Sequence, residues 1–397
     1  MKKTFIAILL LLGQTSTVFA REPLCVNALD AMPEGWRPPA EMRKTLSDKP
    51  WSATEAQDAQ YAIATGIDEM LAHYATAPAK VTALKDDAVE SLIDVTYSGG
   101  TGSPLVDQAA RDGAYRNLEI LIAPYLDRDT QSARCRDVEK VLPLAIYAHR
   151  FYPARDVRTA KLVAFANAAN RACASFAKLV RHNYEAMLAG DELIAEDAFQ
   201  LVAWSIVLTE AELVPGLDQS PEARAFSPSL WHYLERYPMV GANAYADGAL
   251  NMAFLETGYL ATHVAFIPTG YHRHPLYVED SPRLYRFFRE NFYALMAARR
   301  TDLAAQFLDA FRQYGCTEEN DRQVRDGTRN LLEVFHAGHD RWMSYREPDE
   351  AAVVNDYELV HKPWSATIGL RRRTPEPAAP GTYGGVIRKW LPSPKRP

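Results

Sequence analysis

The stretch "SPRLYRFFRENFYALMAARRTDLAAQFLDAFRQYG", residues 281–315, carries two consecutive helix signatures. Ser281 followed by Pro282 is a helix start, because serine suits the N-cap and proline the first helical position. Apolar side chains then recur at near-helical spacing, at Leu284, Phe288, Phe292 and Leu295. A second helix is predicted from Thr301 to Gly315, where glycine suits the position just after a helix.

The same pattern recurs along the chain, while strand-like alternation is nearly absent. Ser52 and Glu55 form a capping-box pattern before another apolar repeat, and a helix is predicted from Leu105 to about Ile122. An alanine-rich run over 156–188 predicts one long buried helix. We therefore predict a single large all-α domain, arranged as a helical-hairpin array or an α/α toroid.

Two helical segments resemble each other at a fixed offset. Residues 193–212 lie over residues 253–272 at an offset of 60, so that Thr209 meets Thr269 and Glu196 meets Glu256. Successive helices with short connectors fit either of the two helical architectures, and both leave loops at one rim for function.

The two ends differ in composition from the middle. Two lysines and a short apolar run within residues 1–20 predict a Sec-type signal peptide, cut after Ala20, and hence a periplasmic or secreted protein. Residues 21–51 are predicted to be an irregular arm, 52–360 the helical domain and 361–397 a basic tail rich in proline and glycine. With 48% apolar and 24% charged residues, the chain has the composition of a folded protein.

The predicted tail has eight Lys or Arg residues and one acid, Glu376, in a chain of formal net charge −6. Such a tail is expected to lie on the acidic body, or to make weak contact with an anionic surface such as lipid or polysaccharide. An anionic polysaccharide is therefore a candidate partner, and nucleic acid is not.

The chain has four cysteines, which are Cys25, Cys135, Cys173 and Cys316. In an oxidising compartment they could form two disulfides, with three pairings possible. Free buried cysteines are the alternative for some of them. No CxxC spacing is present, so a redox motif or a zinc ribbon is not indicated.

The segment "ATHVAFIPTGYHRHP", residues 261–275, offers acid–base chemistry. Glu256 and His263 fall on one helix face with Tyr259. A neutral imidazole beside a phenol suits proton abstraction next to a carbonyl, so we predict His263 as base and Tyr271 as acid. Arg273 is predicted to neutralise a substrate carboxylate, and Glu256 joins these three as a catalytic candidate.

Residues 270–277 are predicted to form a loop at one wall of the cleft, with His272, His274 and Tyr277 binding substrate. This set would suit β-elimination in a uronic-acid polysaccharide. The structural alternative is a core histidine bonded to Glu256 beside an exposed basic loop.

The run Thr262–His263, with Phe266 three residues later and Thr269 three after that, resembles a motif of a little-described group of bacterial all-helical proteins of unknown activity. Residues 301–316 are similar in style to the helices that follow in that group. The resemblance implies a helical fold and marks His263. The chain departs from the group at the helix exit, where Gly270 and His272 stand in place of an acid and a glycine.

A second histidine cluster, in "FHAGHDRW", allows a metal hypothesis. His336 lies three residues from His339 and four from Asp340, so a pair could share a metal with His263. The chain lacks HExxH, and we predict no metal and no cofactor. The functional hypotheses are thus a polysaccharide-active enzyme, a non-catalytic binding or scaffold protein with a concave helical surface, and a metal-dependent helical enzyme.

Overall fold

The computed structural model is all-α. Its described residues are Cys25, 48–181, 195–242, 252–348, 350, 354–372 and 379–391. Within these ranges the chain forms fifteen α-helices and no strand, which confirms the predicted fold class. The predicted signal peptide lies outside the described residues, as does nearly all of the predicted N-terminal arm.

The helices follow one another with short connections. The first five are α1 (Ala53–Ala75), α2 (Pro78–Leu84), α3 (Asp87–Ile93), α4 (Pro104–Leu126) and α5 (Val138–Phe151). The next five are α6 (Val157–Arg171), α7 (Phe176–Val180), α8 (Ala195–Ala211), α9 (Pro221–Leu234) and α10 (Met252–Thr269). The last five are α11 (Pro282–Ala297), α12 (Thr301–Gln313), α13 (Arg322–Ala337), α14 (Asp356–Leu370) and α15 (Tyr383–Ile387).

Side-chain caps define several helix starts. The Ser52–Glu55 capping box is present at α1, and Asn355 with Glu358 forms a second one at α14. Each such cap satisfies backbone N–H groups that have no partner inside the helix. Pro282 begins α11 as predicted, although the Ser281 side chain does not cap it.

Helices α10 and α12 run side by side in the same direction. Tyr259 donates to Asp302, Thr262 to Gln306 and Thr269 to Gln313, at 2.8, 2.9 and 2.8 Å. Early residues therefore meet early residues and late residues meet late ones. This register places one polar layer between the middle of α10 and the start of α12, and another at the ends of both helices.

The other long helices pack against this pair and against one another. Helix α12 packs against α14, α14 against α1, and α1 against α4, while α10 packs against α8, α8 against α5, and α5 against α4. Phe199 early in α8 contacts His263, and Glu210 late in α8 pairs with Arg273, so α8 shares the direction of α10. The choice between a hairpin array and a toroid stays a prediction.

The segments with the 60-residue offset are neighbours in the fold. They correspond to α8 and α10, which pack against each other. Thr209 and Thr269 each donate to the carbonyl oxygen four residues earlier, at 2.8 Å in both helices. The matched threonines therefore have the same local role.

A buried ionic cluster joins α12 to the segments that follow α3, α10 and α14. Arg371, fully buried after α14, donates to Asp94 at 2.6 Å and to Asp309 at 2.9 Å. His272 lies 2.8 Å from the same Asp309 carboxylate. Burial would raise the pKa of Asp309, but the charge of Arg371 and the hydrogen bonds from His272 and Arg371 hold it below its usual value. This polar layer lies at the opposite ends of the helices from Tyr259 and Asp302.

The predicted long helix over 156–188 is wrong in its extent. Helix α6 ends at Arg171, and α7 begins only after Ser175, whose side chain caps it. Cys173 lies in the break and is bonded to Cys135. The described chain then reaches Arg181, with a positive φ of 57°, and residues 182–194 lie outside the described part.

The boundary predicted between domain and basic tail at residue 360 is also corrected, because it falls inside α14. His361 and Lys362 belong to that helix, and Arg371 follows it in the ionic cluster. Tyr383 is buried and donates to the carbonyl of Ile267 at 2.6 Å. These parts of the predicted tail are therefore part of the helical core.

The four cysteines form two disulfides, Cys25–Cys316 and Cys135–Cys173. The first closes a sequence separation of 291 residues and ties Cys25 to the end of α12, whereas the second spans 38. In the described part of the chain, no helix is both long and apolar enough to cross a membrane.

Removing the long-range disulfide is expected to cost more stability than removing the local one. Loss of a native disulfide typically lowers the free energy of unfolding by about 2–5 kcal/mol. Because this loss grows with the logarithm of the loop length, removing Cys25–Cys316 should cost about 2 kcal/mol more than removing Cys135–Cys173. Urea unfolding of Cys25→Ala/Cys316→Ala and Cys135→Ala/Cys173→Ala variants measures the difference. Equal costs, or the reverse order, would contradict this prediction.

Candidate functional site

A cleft of about 580 Å³ opens beside the middle of α10 and the start of α12. Its lining comes from α8, α10, α12, α14 and the segment before α14. The lining residues are Phe199, Tyr259, His263, Arg300, Asp302, Gln306, Tyr345, Glu347, Glu350, Tyr357, Glu358, His361 and Lys362. Two other cavities, of about 600 and 660 Å³, have no histidine among their described lining residues, so we treat the histidine cleft as the candidate site.

His263 has a defined tautomer. Its Nδ1 lies 2.8 Å from the carbonyl oxygen of Tyr259, which only accepts, so Nδ1 carries the proton and Nε2 carries the lone pair. Burial is the main reason that the pKa of His263 falls to about 4; the charge of His361 acts in the same direction, against the hydrogen bond to Tyr259 and the charge of Asp302. His263 is therefore a neutral imidazole at neutral pH.

His361, in the same cleft, shows the opposite shift. Its Nδ1 lies 3.0 Å from the Asp302 carboxylate. Burial alone would lower the pKa of His361, but the charge and hydrogen bond of Asp302, together with the charge of Asp87, raise it above its usual value. His361 is therefore the imidazole of the pair that keeps its proton to higher pH.

Asp302 is held by several partners at the start of α12. Its second oxygen accepts from the Tyr259 hydroxyl at 2.8 Å and from the Gln306 amide at 3.2 Å. Burial would raise the pKa of Asp302, yet the charge and hydrogen bond of His361 bring it below its usual value. Asp302 thus stays ionised and fixes both His361 and Tyr259.

Two imidazoles with opposite pKa shifts give one cleft both a base and an acid. A general base needs a lone pair at the working pH, which His263 has, and a general acid needs a proton, which His361 has. Environments that push paired pKa values apart are typical of acid–base sites. The arrangement can remove a proton from one atom of a ligand and deliver another nearby.

Aromatic rings lie against both histidines. Phe199 contacts His263 with ring centres 4.4 Å apart, and Tyr357 stacks on His361 at 5.1 Å and 25°. Tyr357 is 46% exposed and lines the cleft. Such rings suit stacking against the apolar faces of sugars.

Tyr271 is not brought to His263 as predicted. The ring of Phe266 contacts both residues, with ring centres 5.3 Å from His263 and 4.8 Å from Tyr271. Gly270, Tyr271 and His272 all have positive φ, between 52° and 72°, and these angles turn the chain back into the protein just after α10. Tyr271 is absent from the described lining of the cleft.

Arg273 is not available as a clamp for a substrate carboxylate. It is buried and forms an ion pair with Glu210, a residue that also pairs with Arg150. Its guanidinium lies 5.0 Å from the ring centre of Tyr97 and 4.5 Å from that of Tyr383. The correction follows from burial, because a buried arginine needs its acid inside the protein.

The predicted wall 270–277 is an internal segment instead of an exposed loop. His272, His274 and Tyr277 are 2%, 2% and 4% exposed, so substrate cannot reach them in this conformation. Burial lowers the pKa values of His272 and His274 to about 4. Glu256 is exposed on α10 and is not among the described lining residues, so its predicted bond to His263 is not formed.

The histidines of the metal hypothesis lie apart. His336 is 46% exposed in its side chain and lies between Asp58 and Asp340, at 2.8 and 2.7 Å. Within the described residues, the group of potential ligands close enough to share an ion comprises Cys25, Cys316 and Asp321, and both cysteines are already in a disulfide. His263, His336 and His339 therefore do not form one site.

Asp302 and His361 were missed in the sequence analysis. The predicted tail boundary at residue 360 separated His361 from the helical domain. The signal that could have placed it is the capping box of Asn355 and Glu358, which starts a helix running through His361.

Comparison of the chain with protein-family models, curated proteins and solved structures returned no match. The candidate function therefore has to be argued from the chemistry of the cleft.

Proposed function

We propose that this protein is an exported acid–base enzyme that acts on a polysaccharide, with β-elimination at a uronate unit as its reaction. The observation that carries the proposal is that His263 and His361 line one cleft, with the pKa of His263 lowered and that of His361 raised. The assigned roles differ from those predicted from the sequence in two respects, because His361 replaces Tyr271 as the acid and Arg300 replaces Arg273 at the substrate carboxylate.

In this reaction Nε2 of His263 removes the proton from the carbon next to the uronate carboxylate. The electron pair left on that carbon forms a carbon–carbon double bond, the bond to the glycosidic oxygen breaks, and His361 protonates the leaving oxygen. One proton is taken and one is delivered, so no water or redox partner is needed. Arg300, which lines the cleft, is assigned the carboxylate contact in place of Arg273.

The test is absorbance at the unsaturated-uronate band during incubation of the purified protein with a panel of uronic-acid polysaccharides. The panel contains alginate, polygalacturonate, hyaluronan and chondroitin, with neutral glucans as controls. New absorbance on at least one uronate polymer is expected, and none on glucans. Absence of turnover on every polymer, with the helical circular dichroism intact, would contradict the proposal.

Replacing Asp302 with asparagine is expected to move the alkaline limb of the pH profile to lower pH. In the wild type, kcat/KM should rise through a pKa of about 4 as His263 loses its proton, and fall above 6.5 as His361 loses its own. Without the charge and hydrogen bond of Asp302, burial lowers the pKa of His361 and only the charge of Asp87 opposes it. Activity should therefore be lost at a lower pH in the variant.

The control is Glu333→Gln, which removes the charge of an exposed acid on α13. Its pH profile should match that of the wild type. If Asp302→Asn leaves the alkaline limb in place, His361 is not the acid.

The alternative is a non-catalytic binding protein that uses the same cleft, which the exposed Tyr357 ring favours. Binding of a uronate polymer without turnover would support it. The weak membrane-surface contact predicted for the basic tail is less favoured. Among its described residues, four are paired with acids of the body, namely Lys362, Arg371, Arg372 and Lys389.

A further inference from the structure

One wall of the histidine cleft carries polar atoms that lack a protein partner. Tyr345 is 6% exposed, and its hydroxyl makes no hydrogen bond within the described part of the chain. The same holds for Oε2 of Glu347, whereas Oε1 of that residue accepts from the backbone N–H of Asp302 at 3.0 Å. Both residues line the cleft next to the histidine pair.

Buried polar atoms without partners are uncommon in folded proteins, because each costs about 1–3 kcal/mol when left unsatisfied. A ligand that supplies the missing partners removes this cost on binding. The phenol can donate one hydrogen bond and the carboxylate oxygen can accept one. A sugar hydroxyl can do both in return, since it donates and accepts at the same oxygen.

The charge of this wall argues against a second acidic group on the ligand. Glu347, Glu350 and Asp302 all line the cleft, and the ammonium of Lys362 is already paired with Glu350. The Arg300 guanidinium interacts electrostatically with Glu347 and provides the positive charge for one uronate. Because Glu350 is paired with Lys362 and Arg346, Glu347 is the acid that would repel a further carboxylate placed beside it.

We propose that Tyr345 and Glu347 form a subsite for an uncharged sugar unit, so that the substrate is a polysaccharide in which uronate alternates with a neutral sugar. This inference rests on the proposed function for the identity of the ligand as a uronate polysaccharide. It specifies which class of uronate polymer the cleft binds.

Isothermal titration calorimetry with three tetrasaccharides tests the subsite without requiring turnover. The first probe is a hyaluronan tetrasaccharide, in which glucuronate alternates with uncharged N-acetylglucosamine, and the second is tetragalacturonate, in which every unit is acidic. The third is an N,N,N-trimethyl chitosan tetrasaccharide, whose quaternary ammonium groups stay cationic at every pH. At pH 8, above the pKa of Glu347, which burial raises to about 7, the hyaluronan probe should bind tightest, by about tenfold or more.

Two variants locate the preference. Tyr345→Phe should lower the affinity for the hyaluronan tetrasaccharide about tenfold, since one buried hydrogen bond is lost. Glu347→Gln should narrow the difference between the hyaluronan probe and tetragalacturonate, because the repelling charge is gone. The matched control, Tyr61→Phe, removes a hydroxyl from a tyrosine that is 53% exposed and contacts Phe335, and it should bind all probes as the wild type does.

Equal affinities for the acidic and alternating probes, tightest binding of chitosan, or no binding of any probe would overturn the subsite. The two proposals fail separately. A hyaluronan preference without turnover supports the subsite and overturns the enzyme, whereas turnover of every uronate polymer with no preference supports the enzyme and overturns the subsite.

Discussion

Replacing His263 with glutamine is expected to reduce kcat/KM on the uronate polysaccharide by about 100- to 10,000-fold, the usual contribution of a general base. Glutamine keeps a polar side chain of similar length, and its amide can still donate to the carbonyl of Tyr259. It cannot take a proton at neutral pH. The initial rate of absorbance change, measured against polymer concentration, gives the effect.

His336→Gln is the matched control, because it makes the same chemical change at a histidine that is exposed and paired with Asp58 and Asp340. Its activity should equal that of the wild type. Circular dichroism and urea unfolding must show that His263→Gln is folded. A folded His263→Gln variant that retains full activity would remove His263 from the mechanism.

Replacing Arg371 with alanine is expected to lower the free energy of unfolding by about 3–5 kcal/mol, the usual cost of removing one partner of a buried ion pair. The change would leave Asp94 and Asp309 buried without the guanidinium that neutralises both. The large effect comes from the unpaired carboxylates that remain more than from the lost contacts themselves. Urea unfolding at pH 7 measures it.

The neighbouring residue supplies the control. Arg372 also pairs with acids, Glu318 and Glu319, but its side chain is 51% exposed. Exposed ion pairs contribute about 0–1 kcal/mol, so Arg372→Ala should be nearly neutral. Similar losses for the two variants would show that the buried cluster does not hold the helix ends together.

The helices that could be predicted from sequence are those with an amphipathic repeat and a clear start or end. Helices α11 and α12 fall close to the predicted bounds because their apolar spacing and terminal residues agree. The helix predicted over 156–188 is too long, because an alanine-rich run contains no glycine or proline that would mark where the helix ends. Its break coincides with Cys173, whose partner Cys135 cannot be identified from sequence spacing.

The basic tail was misjudged for an electrostatic reason. Positive charge and proline content predicted a solvated segment, but Lys362 and Arg371 find acids inside the fold. A sequence shows where charges are and does not show which distant acid will meet them. For the same reason, the sequence does not identify Asp302 as the partner of His361.

For the candidate site, the sequence led to His263 but not to its neighbours. The helix face shared with Tyr259 was predicted correctly, and Tyr259 does line the cleft beside His263. Tyr271 and Arg273 lie close to His263 in sequence and were therefore assigned to it. Three consecutive residues with positive φ turn them into the protein interior, a conformation that a Tyr-His pair does not predict.

The proposed chemistry depends most directly on the protonation states of two histidines, which nuclear magnetic resonance can follow. Protein carrying ¹³C-labelled histidine would be titrated from pH 4 to 9, with resonances assigned by His263→Gln and His361→Gln. The account predicts that His263 titrates near pH 4 and stays neutral above it, while His361 titrates above 6.5. If both histidines titrate together near 6.5, the cleft does not hold an acid and a base, and the proposed chemistry is contradicted.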